Sequence, residues 1–196
     1  MELGNLDFNI GSVNPSGVGE TVYRIRKRLI STWPTIVDDP DKADSTAVVT
    51  DLSKYKGDFA LASGAFWDKI YSTQGKAQLT FEATGETDCK MYTNHLIASF
   101  PDMTAEALAF SKAAANDDYV YVAKSAGRWH VIGSPDYRSV TQPAGDSGTT
   151  AGSAKGITFT VDCPDVTPLP LYEGKIVLKD GTIDLSTGEF TAKSGE

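Results

Sequence analysis

The sequence predicts a mainly β fold, a β-sandwich or barrel with one flanking α-helix. Three observations carry that reading. Several stretches alternate apolar and polar residues with a period of two, as in "GITFTVDC" at residues 156–163, which is the pattern of a half-buried strand. Only one stretch, "DMTAEALAFSKAAAN" at residues 102–116, has helical character. Short turns containing glycine separate many of the alternating stretches. The chain has 196 residues, of which 40% are hydrophobic and 10% aromatic. That suits a single domain with a real core and extended loops or arms.

Residues 1–20 mix Leu3, Leu6, Phe8 and Ile10 with Gly, Asn, Ser and Pro. They are expected to form an extended arm whose apolar side chains need a partner surface, on their own domain or on a neighbouring subunit. Residues 21–178 are expected to form the sandwich or barrel. "TVYRIRKRLI" at residues 21–30 reads as a strand, with Tyr23, Ile25 and Leu29 on one face and Arg24, Arg26 and Arg28 on a wet face that could meet an acidic neighbour. Residues 31–57 form a long loop insertion with Pro34, Pro40 and the acidic run "DDPDKAD". Its one β-like piece lies at 47–52, and Trp33, Ile36 and Val37 argue against simple disorder. Loops of this length in a compact domain are usually functional. Further strands are expected at 59–73, 77–84 and 88–101, with a turn at Gly75.

The helix at 102–116 can be capped by Asp102 or Thr104, with Glu106 in its first turn. Ala107, Leu108, Phe110, Ser111 and Ala114 give it a face of mostly small residues that can lie on a sheet. A hairpin follows, "DYVYVAK" and "RWHVIG" joined by "SAG". Residues 143–156, rich in Gly, Ser and Thr, read as a pliable loop. Strands at 156–163 and 169–178 come next. Residues 179–196, with "DG" and "TG" turns, suit a small hairpin or a trailing arm.

No catalytic, cofactor or metal site is expected. "GDSG" at residues 145–148 matches the surroundings of a nucleophilic serine. That chemistry also needs a histidine base and a carboxylate. His95 and His130 both fall in predicted strands between apolar or aromatic neighbours, and Thr149 and Thr150 stand where such an enzyme would continue with glycine and proline. Cys89, His95, His130 and Cys163 lack ligand spacing. The acidic cluster Asp38, Asp39, Asp41 and Asp44 lacks the glycine and terminal glutamate of a calcium loop. No phosphate-binding glycine motif is present. Two cysteines are too few for a disulfide scaffold, and their spacing leaves a single bridge undecided; two reduced thiols are the expectation. A net charge of −8 disfavours wrapping nucleic acid. Neither a signal peptide nor a membrane span is expected, which points to synthesis in the cytoplasm and no membrane partner. An acidic β protein without a site, with an apolar arm and a long loop, fits an assembly subunit.

The passage "GDSGTTAGSAKGITFTVDCPDVTPLPLYEGKI", with the earlier "NPSG", "VYRI" and "ANDDYVYV", resembles phage tail tube proteins of tailed phages and prophages of Bacteroides-like bacteria. The resemblance implies hexameric rings whose strands join into an inner β-barrel. It implies stacking of rings through loop 31–57 and arm 1–20. It also implies a place in the virion tail, contacts with other tail proteins, and an acidic lumen through which DNA passes without specific binding. A tail terminator, head–tail connector or head decoration subunit is the alternative. A carbohydrate-binding sandwich using Trp33, Trp67 and Trp129 as a platform is a third possibility.

Overall fold

The structure, a computed structural model, describes residues 15–37 and 47–193, with positions 6, 10, 11 and 13 of the N-terminal segment. Leu3, Phe8 and the cluster Asp38, Asp39, Asp41 and Asp44 lie outside the described residues. The fold is mainly β, several antiparallel sheets with one helix. In chain order the elements are β1 (Val18–Arg26), β2 (Ile30–Thr32), β3 (Ala60–Leu61), β4 (Asp68–Tyr71), β5 (Gln78–Thr84), β6 (Met91–Phe100), α1 (Ala105–Ala114), β7 (Tyr119–Ser125), β8 (Arg128–Ile132), β9 (Val140–Asp146), β10 (Gly156–Asp165), β11 (Lys175–Val177), β12 (Gly181–Asp184) and β13 (Phe190–Ala192). Among the described residues no helix is long and apolar enough to cross a membrane.

The central sheet has the order β4-β1-β7-β8. Its strand β7 reads "YVYVA" without a polar break, and all five of those residues are buried. A continuous apolar run is what a strand covered on both faces requires. One face, with Val22, Tyr121, Ala123 and Ile132, packs on Leu96, Phe159 and Val161 of a second sheet ordered β5-β6-β10-β9. Helix α1 closes the same core with Phe110 and Ala114. The other face, with Tyr23, Ile25, Val120, Val122 and Val131, packs on Phe59, Trp67, Tyr172 and Ile176. Ile176 belongs to a small third sheet, β11-β12-β13, and Phe59, Trp67 and Tyr172 come from the segments that lead into β3, β4 and β11.

Helix α1 starts at Thr104, whose hydroxyl accepts from the Ala107 amide at 3.3 Å. Phe110 and Ala114 point inward, whereas Leu108 is half exposed. With 100° per residue, Leu108 falls off the buried stripe, which corrects the expectation that it lies on the sheet.

Other boundaries also move. Strand β1 begins at Val18, inside the expected arm, and ends at Arg26; a 3₁₀ turn at Lys27–Leu29 follows. Arg28 therefore does not continue the arginine face. The face itself is not wet at Arg24, whose guanidinium lies 3.5 Å from the Phe110 ring centroid. Residues 47–52 hold no strand: Val49–Leu52 is a 3₁₀ turn, because the Asp51 carboxylate accepts from the Val48 amide at 2.9 Å and fixes a local bend. The expected strand at 59–73 is broken at the turn closed by the bond from Ala65 N to Ala62 O, with Gly64 at φ +75°. The resulting strands β3 and β4 belong to different sheets.

The expected strand at 169–178 shrinks to Lys175–Val177. Asn94 explains part of this. Its side chain is fully buried, accepts from the Leu169 amide at 2.8 Å and donates to the Thr167 carbonyl at 3.0 Å. Leu169 is thereby held at φ +40°, outside any strand. The loop across 31–57 is pinned at its base, where Thr35 and Lys56 exchange backbone bonds of 3.0 and 2.7 Å and Leu171 bonds both Ser53 and Tyr55. Residues 179–193 supply β12 and β13, the hairpin reading of the C-terminal region.

Replacing Asn94 with Ala strands a buried amide and a buried carbonyl. Asn94→Ala is expected to cost about 2–6 kcal/mol in urea unfolding, from roughly 1–3 kcal/mol for each of the two unsatisfied groups. The neighbouring Thr93→Ala, on the outer face, should stay within about 0.5 kcal/mol. Equal effects of the two would contradict the clamp.

Candidate assembly surface

The letters "GDSG" fall at the end of a strand. Residues 140–146 are β9, in register with β10 through Phe159↔Pro143, Ile157↔Gly145 and Gly156↔Asp146. This corrects the reading of 143–156 as one pliable loop. Proline and glycine hid the strand. Both are tolerated because β9 is an edge, and a Cβ on Gly145 would crowd the Met103 methyl at 3.1 Å. The turn proper is 147–155. There the Asp146 carboxylate accepts from the Gly148 amide at 2.8 Å, and Gly148 sits at φ +74°. Ser147 is exposed, and its hydroxyl reaches the Gly148 carbonyl at 3.4 Å.

Neither histidine is a partner of Ser147. His95 Nδ1 lies 2.6 Å from Asp162 Oδ1, and its Nε2 is 3.8 Å from Glu82 Oε1. His130 Nδ1 meets the Leu169 carbonyl at 2.9 Å, and burial lowers its pKa from the ordinary value. Among the described residues no group of three or more His, Cys, Asp or Glu is placed to hold a metal ion. The tryptophans do not form an exposed platform. Trp67 is buried, Trp33 packs on Phe59 at 5.2 Å, and Trp129 packs on Tyr23 at 5.4 Å.

What the fold does present is an outward sheet surface. In the second sheet Leu96, Ala98, Phe159 and Val161 face the core, so their alternates face away. Thr80, Glu82, Thr93, His95, Gln142, Thr158, Thr160 and Asp162 occupy that outer face by register. The face is mainly polar, interrupted by Met91, Ile97, Val140 and Ala144; Glu82, Asp146 and Asp162 are its acids, and Lys76 and Lys155 flank it at one end. Asp162, His95 and Glu82 lace β10, β6 and β5 across it.

Among the described residues neither edge of this sheet, β5 or β9, pairs with a further strand. Strand β5 overhangs the core. Phe81 is 52% exposed although it lies on the core side of the sheet, and its ring meets Tyr92 edge-on at 6.0 Å. An exposed edge with an apolar overhang is a template for pairing with another chain. The alternation "QLTFEAT" marked the strand in the sequence; no sequence signal marked its overhang.

The arginine region forms a second surface. A cleft of about 570 Å³ runs between β1, α1 and residues 64–66, lined by Arg24, Arg26, Phe66, Glu106 and Phe110 among others. Its charges are internally answered: Arg24 pairs with Asp68 at 3.8 Å, and Arg26 with Asp117 at 3.3 Å and with the Tyr119 hydroxyl at 3.0 Å. The expected acidic neighbour is thus partly supplied by the chain itself.

No family model matches the chain, and no curated protein or solved structure matches it.

The two cysteines are free, Cys89 exposed and Cys163 buried. Burial, reinforced by the carboxylates of Asp165 and Asp118, pushes the Cys163 thiol up to about 12. Only the thiolate reacts. At about pH 8, just below the ordinary thiol pKa, the native protein should release one equivalent from a disulfide reagent, and the second only after denaturation. No native reaction, or two equivalents, would contradict this placement.

Proposed function

We propose that the protein is a tail tube subunit of a tailed phage or prophage, which assembles into stacked, hexameric rings around a channel for DNA. The observation that carries the reading is the second sheet, whose edge strands β5 and β9 pair with no further strand among the described residues and whose outer face is mainly polar. Every neighbouring pair in β5-β6-β10-β9 is antiparallel. With an even number of strands, β5 and β9 run in opposite directions. A head-to-tail repeat of the subunit therefore carries the antiparallel order across each join, and a closed ring leaves no edge.

The polar face then lines the channel. Glu82, Asp146 and Asp162 repel phosphate there, so DNA slides without specific binding. The net charge of −8 agrees with that role. The Phe81 overhang becomes buried at the join, where an isolated subunit leaves it wet. On this reading the protein is made in the bacterial cytoplasm, resides in the virion tail, contacts other tail proteins and catalyses no reaction.

Electron microscopy of the purified protein tests the proposal. Rings or tubes are expected as concentration rises or when a tail nucleus is added. Phe81→Lys, at a site already 52% exposed, should leave the circular dichroism spectrum and melting temperature unchanged while abolishing rings, because lysine guards an edge. A wild-type protein that stays monomeric under every condition, or rings that persist in the lysine variant, would overturn it.

A further inference from the structure

The small third sheet ends one strand too early. Its register aligns Ile176 with Ile183 and Ile183 with Phe190. Along that row exposure rises from 0% at Ile176, through a half-buried Ile183, to 47% at Phe190. All five residues from Glu189 to Lys193 are exposed. Among the described residues β13 pairs only with β12. An edge that carries an uncovered aromatic ring is a template for a further strand.

Backbone direction limits how that strand can add. The Lys193 amide donates to the Asp180 carbonyl at 3.0 Å, and the Asp184 amide donates to the Glu189 carbonyl at 2.9 Å. Bonding direction alternates along an antiparallel strand. The backbone groups of Glu189, Thr191 and Lys193 are therefore turned toward β12, and those of Phe190 and Ala192 toward the open side. Side chains alternate as well. Phe190 shares the inner face with Ala192, because it stands in register with Ile183, which packs on the core. Glu189, Thr191 and Lys193 share the outer face.

Charge then selects the partner. Along the edge, "EFTAK" at residues 189–193 carries an acid at one end and a base at the other. Laid antiparallel on the same segment of a second copy, with Thr191 facing Thr191, it sets Glu189 opposite Lys193 at both ends. In that register Phe190 faces Ala192, and each such pair exchanges both of its outward backbone bonds. The two Phe190 rings fall on one face, diagonal to each other and within reach for aromatic side chains. A register with Phe190 facing Phe190 keeps the bonding direction but sets Glu189 opposite Thr191. A parallel pair brings like charges together.

We propose that β13 pairs antiparallel with β13 of a second copy about a two-fold axis at Thr191, joining the two small sheets into one. Such an isologous contact closes on itself, so it gives a pair and not a filament. Strands β5 and β9 take no part, and the inference stands independently of the ring reading. A strand of three residues makes a contact smaller than the roughly 800 Å² per partner of a stable complex. The pair is therefore weak, and its exposed Glu189–Lys193 contacts make it sensitive to salt.

Cross-linking of the full chain at the axis tests it. In a Cys89→Ser background, Thr191→Cys should give a disulfide-linked dimer on mild oxidation, because facing residues of a non-bonded pair hold their Cβ atoms close. Thr182→Cys, on the same face but one strand inward, should give none. Sedimentation at low salt supplies a second reading. Lys193→Glu and Glu189→Lys should each raise the dissociation constant of the pair about tenfold, and the double reversal should restore it. Phe81→Lys should leave the pair intact, which separates this contact from the ring joins. No dimer from Thr191→Cys, equal cross-linking of the two cysteine variants, or no recovery in the double reversal would overturn the inference, whether or not rings form.

Discussion

Strand β7, inside the central sheet β4-β1-β7-β8, is buried on both faces from Tyr119 to Ala123, and a strand with no wet face needs two covers. Val120 and Val122 on one side, and Tyr121 and Ala123 on the other, are essentially inaccessible to water. The second sheet and α1 provide one cover. The other is assembled from parts too small to stand alone: the base of the long loop, the 169–172 segment and the three-stranded sheet. Aromatic side chains knit that second cover together. Phe59 meets Trp33, Trp67 and Tyr172 at centroid distances of 5.2, 5.4 and 4.9 Å, and the Tyr172 hydroxyl accepts from the Phe59 amide while donating to the Lys175 carbonyl. Such rings bury large areas and fix geometry at once.

This arrangement determines what is left outside. Each cover spends its inner face on the central sheet and keeps its outer face and its edges. In the second sheet these are a mainly polar face with Asp162, His95 and Glu82, and the outer edges of β5 and β9. In the third sheet they are the half-covered row ending at Phe190. Isolated, such edges are a liability. Joined to copies of the same chain, they supply the contacts an assembly needs. The arginines of β1 are different, since Arg24 stacks on Phe110 and ion-pairs with Asp68 and so serves the interior as much as the surface.

How much of this was legible in the sequence varied with how local its cause was. The β7–β8 hairpin, the strand "GITFTVDC" and the capped helix rest on alternation, turn residues and a threonine cap, all within a few residues. They lie in the structure close to where they were expected. Errors arose where distant groups decide. Residues 169–174 leave the strand path because Asn94, from another sheet, holds Leu169. Strand β9 looked like a loop because Pro143 and Gly145 suit a loop by composition, and only pairing with β10 makes them a strand. The arginine face looked wet because nothing local announces that Phe110, from the helix, will lie over Arg24. The candidate surface was legible only as an absence of chemistry together with an apolar arm. The overhang of Phe81 and the fading row at Phe190 depend on where the core stops, which no short window contains.

Hydrogen exchange, followed residue by residue in the monomer and in the assembled particle, tests the edge pairing most directly. Amides on β5 and β9 that point away from their own sheet should exchange rapidly in the monomer and become strongly protected on assembly. Amides of β7, already buried on both faces, should be protected in both states. Unchanged exchange at β5 and β9 in an assembled particle would contradict the assignment of these edges as the joins between subunits.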